Sequence, residues 1–183
     1  MFVSEFHYDN DGTDVGEFIE VTGDAGTDLA GWSLVLYNGN GGARYVVYDK
    51  SDGSVAAGPL TMDALGSGPC ANGHGDPIVL WDDLAQRWLL SEFAAVGNHL
   101  CVYISQTEDP VSGGWYNYNY NTPDFPDYPK YGVWPTDANG GMGSYIVTAN
   151  ESESTAIALD RGAMLTGSAS TFQRVIIGDL SGF

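Results

Sequence analysis

The sequence predicts an all-β fold, and three observations predict it. The 183 residues include 25 glycines and 13% aromatic side chains, which suits short strands joined by tight turns. Short apolar or alternating runs are separated by clusters of Gly, Asn, Asp and Pro, the signals of strands and their turns. The third observation is a degenerate internal repeat in the second half. Residues 77–82 (PIVLWD), 87–92 (RWLLSE), 98–104 (NHLCVYI) and 115–120 (WYNYNY) read as four successive strands. The same order returns at 131–134 (YGVW), 144–149 (SYIVTA), 155–160 (TAIALD) and 172–177 (FQRVII). Trp88 to Tyr145 is 57 residues, Cys101 to Ile157 is 56, and Trp115 to Phe172 is 57. A four-stranded unit recurring at such a period is the sequence form of a β-propeller blade. The expected architecture is therefore a partial β-propeller of two blades, at about 77–121 and 131–178.

Each element has its own warrant. Residues 1–8 (MFVSEFHY) alternate, with Phe2, Ser4, Phe6 and Tyr8 on one face and Val3, Glu5 and His7 on the other. After the turn-rich stretch 9–16 come strands at 17–22 (EFIEVT) and 32–37 (WSLVLY). The NGNGG turn at 38–42 leads to a strand at 44–50 (RYVVYDK), and 54–62 reads as its hairpin partner across SDG. Residues 66–76 (GSGPCANGHGD) read as a Gly/Pro-rich linker into the first blade. One short helix is expected, at 159–165 (LDRGAML).

Two resemblances add to this. Residues 2–42, FVSEFHYDNDGTDVGEFIEVTGDAGTDLAGWSLVLYNGNGG, are similar to the opening half of a bacterial lamin-tail-type domain. That resemblance implies a lamin-tail-like segment over residues 1–43, cut from an immunoglobulin-like sandwich of the kind appended to secreted nucleases and phosphoesterases. Residues 44–183 resemble a propeller-like region of secreted bacterial proteins of undefined activity, through YVVYDKSDGSVAAGP, GDPIVLWDDLAQRWLLSEF, CVYISQTEDPVSGGWY, FPDYPKYGVWPTD and ALDRGAML. It implies a parent with more blades than these two, so the chain is expected to be a fragment, a fusion or a minimal variant.

Charge bounds the partners. There are 24 acidic side chains against 6 basic ones, a formal net charge of −18. Such a surface repels nucleic-acid phosphates and anionic lipids. It fits a protein of salty, marine or halophilic surroundings, or an acidic secreted protein that binds calcium. No apolar run reaches the 18 residues a membrane helix needs. No secretory leader is legible, so an extracellular chain would have had its signal removed or would be part of something longer. Cys70 and Cys101 are the two cysteines, either one disulfide or two buried thiols.

Four groups of residues carry candidate chemistry. Asp9, Asp11, Asp14 and Glu17 in DNDGTDVGE offer closely spaced oxygen ligands around a glycine, as calcium requires, or form a solvated turn. Asp76, Asp82 and Asp83 flank a strand, as caps of a neighbouring loop or as metal ligands. Trp115, Tyr116, Tyr118 and Tyr120 are the third group, with the three tyrosines on one face and Trp115 on the other with Asn117, Asn119 and Asn121. Rings beside amides suit a sugar, and equally suit packing between blades. Ser91–Glu92 and the many carboxylate pairs could serve a glycosidase, but none is distinguished. No nucleophile elbow, HExxH or phosphate loop is present.

The function expected is an extracellular, non-catalytic structural or binding module for carbohydrate or protein, calcium being the one cofactor considered. The alternative is a secreted hydrolase acting on a glycan or phosphoester. Two blades cannot close a ring, so either the N-terminal strands cover the open faces or chains associate as a homo-oligomer, three chains giving six blades.

Overall fold

The computed structural model describes residues 2–7, 18–22, 35–36, 43–49 and 51–177. The described chain is all-β, with a single short helix. Strands β1 (Phe2–His7) and β2 (Phe18–Thr22) form an antiparallel pair. Strands β3 (Val35–Leu36), β4 (Arg44–Tyr48) and β5 (Val55–Thr61) form a three-stranded sheet. Its β3–β4 pairing places Val35 opposite Val47 and Leu36 opposite Val46, so the sheet runs across the junction near residues 42–45.

Two four-stranded antiparallel sheets follow. The first is β6 (Gly73–Asp82), β7 (Arg87–Ala94), β8 (His99–Ser105) and β9 (Trp115–Asn121), in that order. The second is β10 (Asp127–Trp134), β11 (Ser144–Asn150), β12 (Ser154–Asp160) and β13 (Phe172–Ile176). Between β12 and β13 lies α1 (Arg161–Thr166). Asp160 accepts the Ala163 amide at its start, and Gly167 closes it in the left-handed conformation.

One correction concerns residues 66–76. They are not an extended linker. Met62–Leu65 and Gly68–Ala71 are single 3-10 turns, and β6 begins at Gly73. The first residues of β6 were hidden because Gly73, Gly75 and Asp76 read as loop; the pairing with β7 is irregular there, between Gly73 and Ile78.

The last three sheets stack in sequence order. One apolar core joins Tyr45 and Val47 of β4, together with Met62 and Cys70, to Trp88 and Leu90 of β7 and Cys101 and Tyr103 of β8. A second joins Leu89 and Phe93 of β7 and Leu100, Val102 and Ile104 of β8 to Tyr145, Val147, Ile157 and Leu159 of the last sheet. Alternate residues of β7 and β8 thus enter opposite cores, which is why both strands read as near-continuous apolar runs. Each fully buried Leu, Ile or Val contributes about 1.5–3 kcal/mol. The middle sheet is the most deeply buried part of the described chain.

Candidate functional site

Two buried polar groups of the described residues lie in the seams between sheets. The seam between the two four-stranded sheets centres on Asp82, at the end of β6, where the chain turns into β7. Its Oδ1 accepts the Ala85 amide at 3.1 Å, which shapes that turn. Arg161, the first residue of α1, donates from Nε to Asp82 Oδ2 at 2.6 Å and from Nη2 to Oδ1 at 3.0 Å. Tyr145 of β11 donates its hydroxyl to Asp82 Oδ2 at 2.8 Å. Arg161 Nη1 donates to the Met142 carbonyl at 2.6 Å. All three side chains are buried. Burial alone would raise the Asp82 carboxyl, but the bonds from Arg161, Tyr145 and Ala85 outweigh it and hold the group below the ordinary carboxylate value. Burial pushes the Tyr145 phenol up, and its bond to Asp82 pushes it further. The result is a bidentate ion pair that bolts β6 to β11 and α1.

The seam between the three-stranded sheet and the middle sheet holds Glu92, in the centre of β7 and only 1% exposed. The buried Tyr103 hydroxyl lies 2.9 Å from Glu92 Oε1 and 3.2 Å from the Cys70 carbonyl. Glu92 Oε2 has no hydrogen-bond partner. The carboxyl rests on Gly73: a Cβ there would stand 2.1 Å from Oε2, so any larger residue would displace the acid. The Gly73 amide donates to Asp63 Oδ1 at 2.6 Å, bringing a second carboxylate alongside. Burial raises the Glu92 carboxyl to about 7; the bond from Tyr103 opposes this and the charge of Asp63 adds to it. Cys70 and Cys101 are joined in a disulfide, Cα–Cα 5.6 Å, which fastens the 68–71 turn to β8 beside this group. Cys101 is the register partner of Glu92 across β7 and β8.

The aromatic residues of β9 divide between these seams. Trp115 meets Tyr45 edge-on at 6.0 Å between ring centroids, in the first core. The opposite face turns to α1 and its exit. Tyr118 donates to the Met164 carbonyl at 3.1 Å, and the Tyr120 hydroxyl lies 2.7 Å from Ser170 Oγ. Tyr116 lies against Gly167, where a Cβ would stand 2.4 Å from the ring. Tyr120 is fully buried and Tyr118 half-buried, the latter stacked on Tyr120 at 6.4 Å. All four rings are thus engaged in contacts between sheets.

Among the described residues, no group of three or more His, Cys, Asp or Glu side chains is placed to hold a metal ion. Asp9, Asp11, Asp14 and Glu17 lie outside the described residues. Asp76 and Asp83 do not join Asp82 in its buried contacts, since both are exposed. No helix of the described residues is long and apolar enough to cross a membrane. Sequence reasoning missed Glu92 as a distinguished group, although one signal was available: a single acid inside the apolar run WLLSEFA. It also missed Arg161, one of only six basic residues. Comparison with protein-family models, with curated proteins and with solved structures finds no match.

Proposed function

We propose that this chain is a non-catalytic, extracellular structural module of the β-propeller kind, whose end sheets stack on those of a partner protein, in the first instance a second copy. The observation that carries this reading is the serial stacking of sheets in chain order, with the middle one covered on both faces by its sequence neighbours. Successive blades of a propeller are related in this way, and each needs a neighbour on either side. The groups Asp82, Arg161 and Glu92 are buried inside the stack, between its layers. A hydrolase would need a carboxyl of raised pKa open to substrate; Glu92 has the pKa but is shut between sheets. A glycan surface on β9 is the weaker binding reading, because Trp115, Tyr116, Tyr118 and Tyr120 are engaged in packing.

The last sheet leaves apolar surface for a partner. Trp134 on β10 is 64% exposed, and Val175 on β13 is 60% exposed. The described residues hold three stacked sheets, and two copies of that stack give six layers, within the four to eight blades of closed propellers. The lamin-tail-like reading of residues 1–43 and a calcium site at Asp9, Asp11, Asp14 and Glu17 belong to the same proposal. The disulfide supports an oxidising, extracellular compartment.

Light scattering at micromolar concentration tests the assembly. A particle of two or more copies is expected. A 19.5 kDa monomer that unfolds cooperatively would overturn assembly between copies.

A further inference from the structure

We infer that Glu92 is a proton-dependent latch for the crossover segment 62–73, which carries the chain from the three-stranded sheet to the middle sheet. The geometry of its hydrogen bonds carries the inference. The Tyr103 hydroxyl has one hydrogen and two acceptors within reach, Glu92 Oε1 at 2.9 Å and the Cys70 carbonyl at 3.2 Å. A neutral Glu92 resolves this: its own O–H is donated to the Tyr103 oxygen, and Tyr103 then donates to the Cys70 carbonyl. Each hydrogen in the chain of bonds then has an acceptor, and the partnerless Oε2 that rests on Gly73 is uncharged. An ionised Glu92 draws the Tyr103 hydrogen to itself. The buried Cys70 carbonyl loses that donor, and the partnerless Oε2 becomes anionic. Leaving buried acceptors in that state is costly.

The groups facing Glu92 reinforce the effect. Tyr103 faces it from β8, and Asp63 from the 62–65 turn, its charge adverse to a second anion. From β6 comes only the backbone of Gly73, the neighbouring His74 being exposed. Among the described residues Glu92 makes no ion pair with Lys or Arg. Asp63, Cys70 and Gly73 all lie in or at the end of the crossover, and the Met62 amide donates to the Ala43 carbonyl at 3.0 Å, so loosening the crossover loosens the seat of the first sheet.

The sign follows from linkage. The folded value, about 7, lies above the ordinary 4.5, so the native state holds a proton that the unfolded chain releases earlier. The contribution of Glu92 to stability is greatest below about pH 4.5, declines as pH rises towards 7, and is level above it. Chemical denaturation of the intact, oxidised protein between pH 5 and pH 8 tests this. The unfolding equilibrium constant is expected to rise at least about tenfold across the interval. Glu92→Gln keeps a donor for Tyr103 and should abolish the rise. Asp63→Asn keeps an acceptor for the Gly73 amide but removes the charge, so the decline should end at lower pH; it carries the test if Glu92→Gln does not fold. A wild-type constant that is flat over this range would overturn the inference, as would an undiminished rise in Glu92→Gln or an unmoved end point in Asp63→Asn. Stabilisation at pH 8 by millimolar calcium that Glu92→Gln abolishes would overturn it in favour of a bound cation.

Discussion

Asp82 survives between two sheets because four donors meet its two oxygens. Desolvating a carboxylate costs several kcal/mol, and the bidentate Arg161 contact with the Tyr145 hydroxyl offsets that cost. Breaking the pair from one side leaves a buried charge alone. Asp82→Ala or Arg161→Ala is expected to cost about 3–5 kcal/mol in denaturant unfolding, with the double variant losing much less than the sum. Strict additivity would show that the pair is not coupled. Because the Asp82 carboxyl is held below its ordinary 3.8, its contribution is present above that pH and is lost as pH falls through the folded value, so it governs only the acid limb. The sequence marked Asp82 as a strand-end cap, and its bond to the Ala85 amide is such a cap. Its partner lies 79 residues further on, a separation that no local pattern encodes. Glu92 was visible as an acid in an apolar strand, but its burial depends on the 62–71 turns folding back over it.

At the scale of elements, the eight strands of the two four-stranded sheets were legible as alternating or near-continuous apolar runs separated by Gly, Asn and Asp turns, although β6 and β10 start earlier than the pattern marked. The short helix expected at 159–165 is present, although it runs from Arg161 to Thr166, capped by Asp160 and Gly167. What the pattern could not supply was the path from β5 to β6, where two 3-10 turns replace a linker and the disulfide anchors the second of them. Closing a loop with a sequence separation of 31 constrains the unfolded chain by about 3–4 kcal/mol. Reduction should therefore lower the denaturant midpoint by a corresponding amount, and alkylation of the unreduced, unfolded protein should find no free thiol. Two alkylated thiols would refute the bond.

Across the whole molecule, the repeat disclosed two similar units, whereas the stack has a third sheet, with β3–β5 among the described residues, whose sequence does not share the repeat. Its role was hidden because its half of the interface, Tyr45 and Val47 with Met62 of the turn that follows, is spread over non-repeating sequence. The formal charge of −18 acts at this scale as well. Repulsion among so many carboxylates should be screened by salt, so the melting temperature is expected to rise from low to molar NaCl. A flat response would show that the acidic surface is not a salt adaptation. A rise at millimolar calcium that sodium does not reproduce would place a specific ion on the native state, through its preferential binding there.

Native-state amide hydrogen exchange tests most directly whether the middle sheet is covered on both faces. The amides of β7 and β8 should be the slowest in the chain, opening only with global unfolding, while the outer strands β5, β10 and β13 exchange through local opening. If β7 and β8 exchange no more slowly than those three strands, the central sheet is not enclosed by its neighbours, and the serial stack on which the proposed function rests is contradicted.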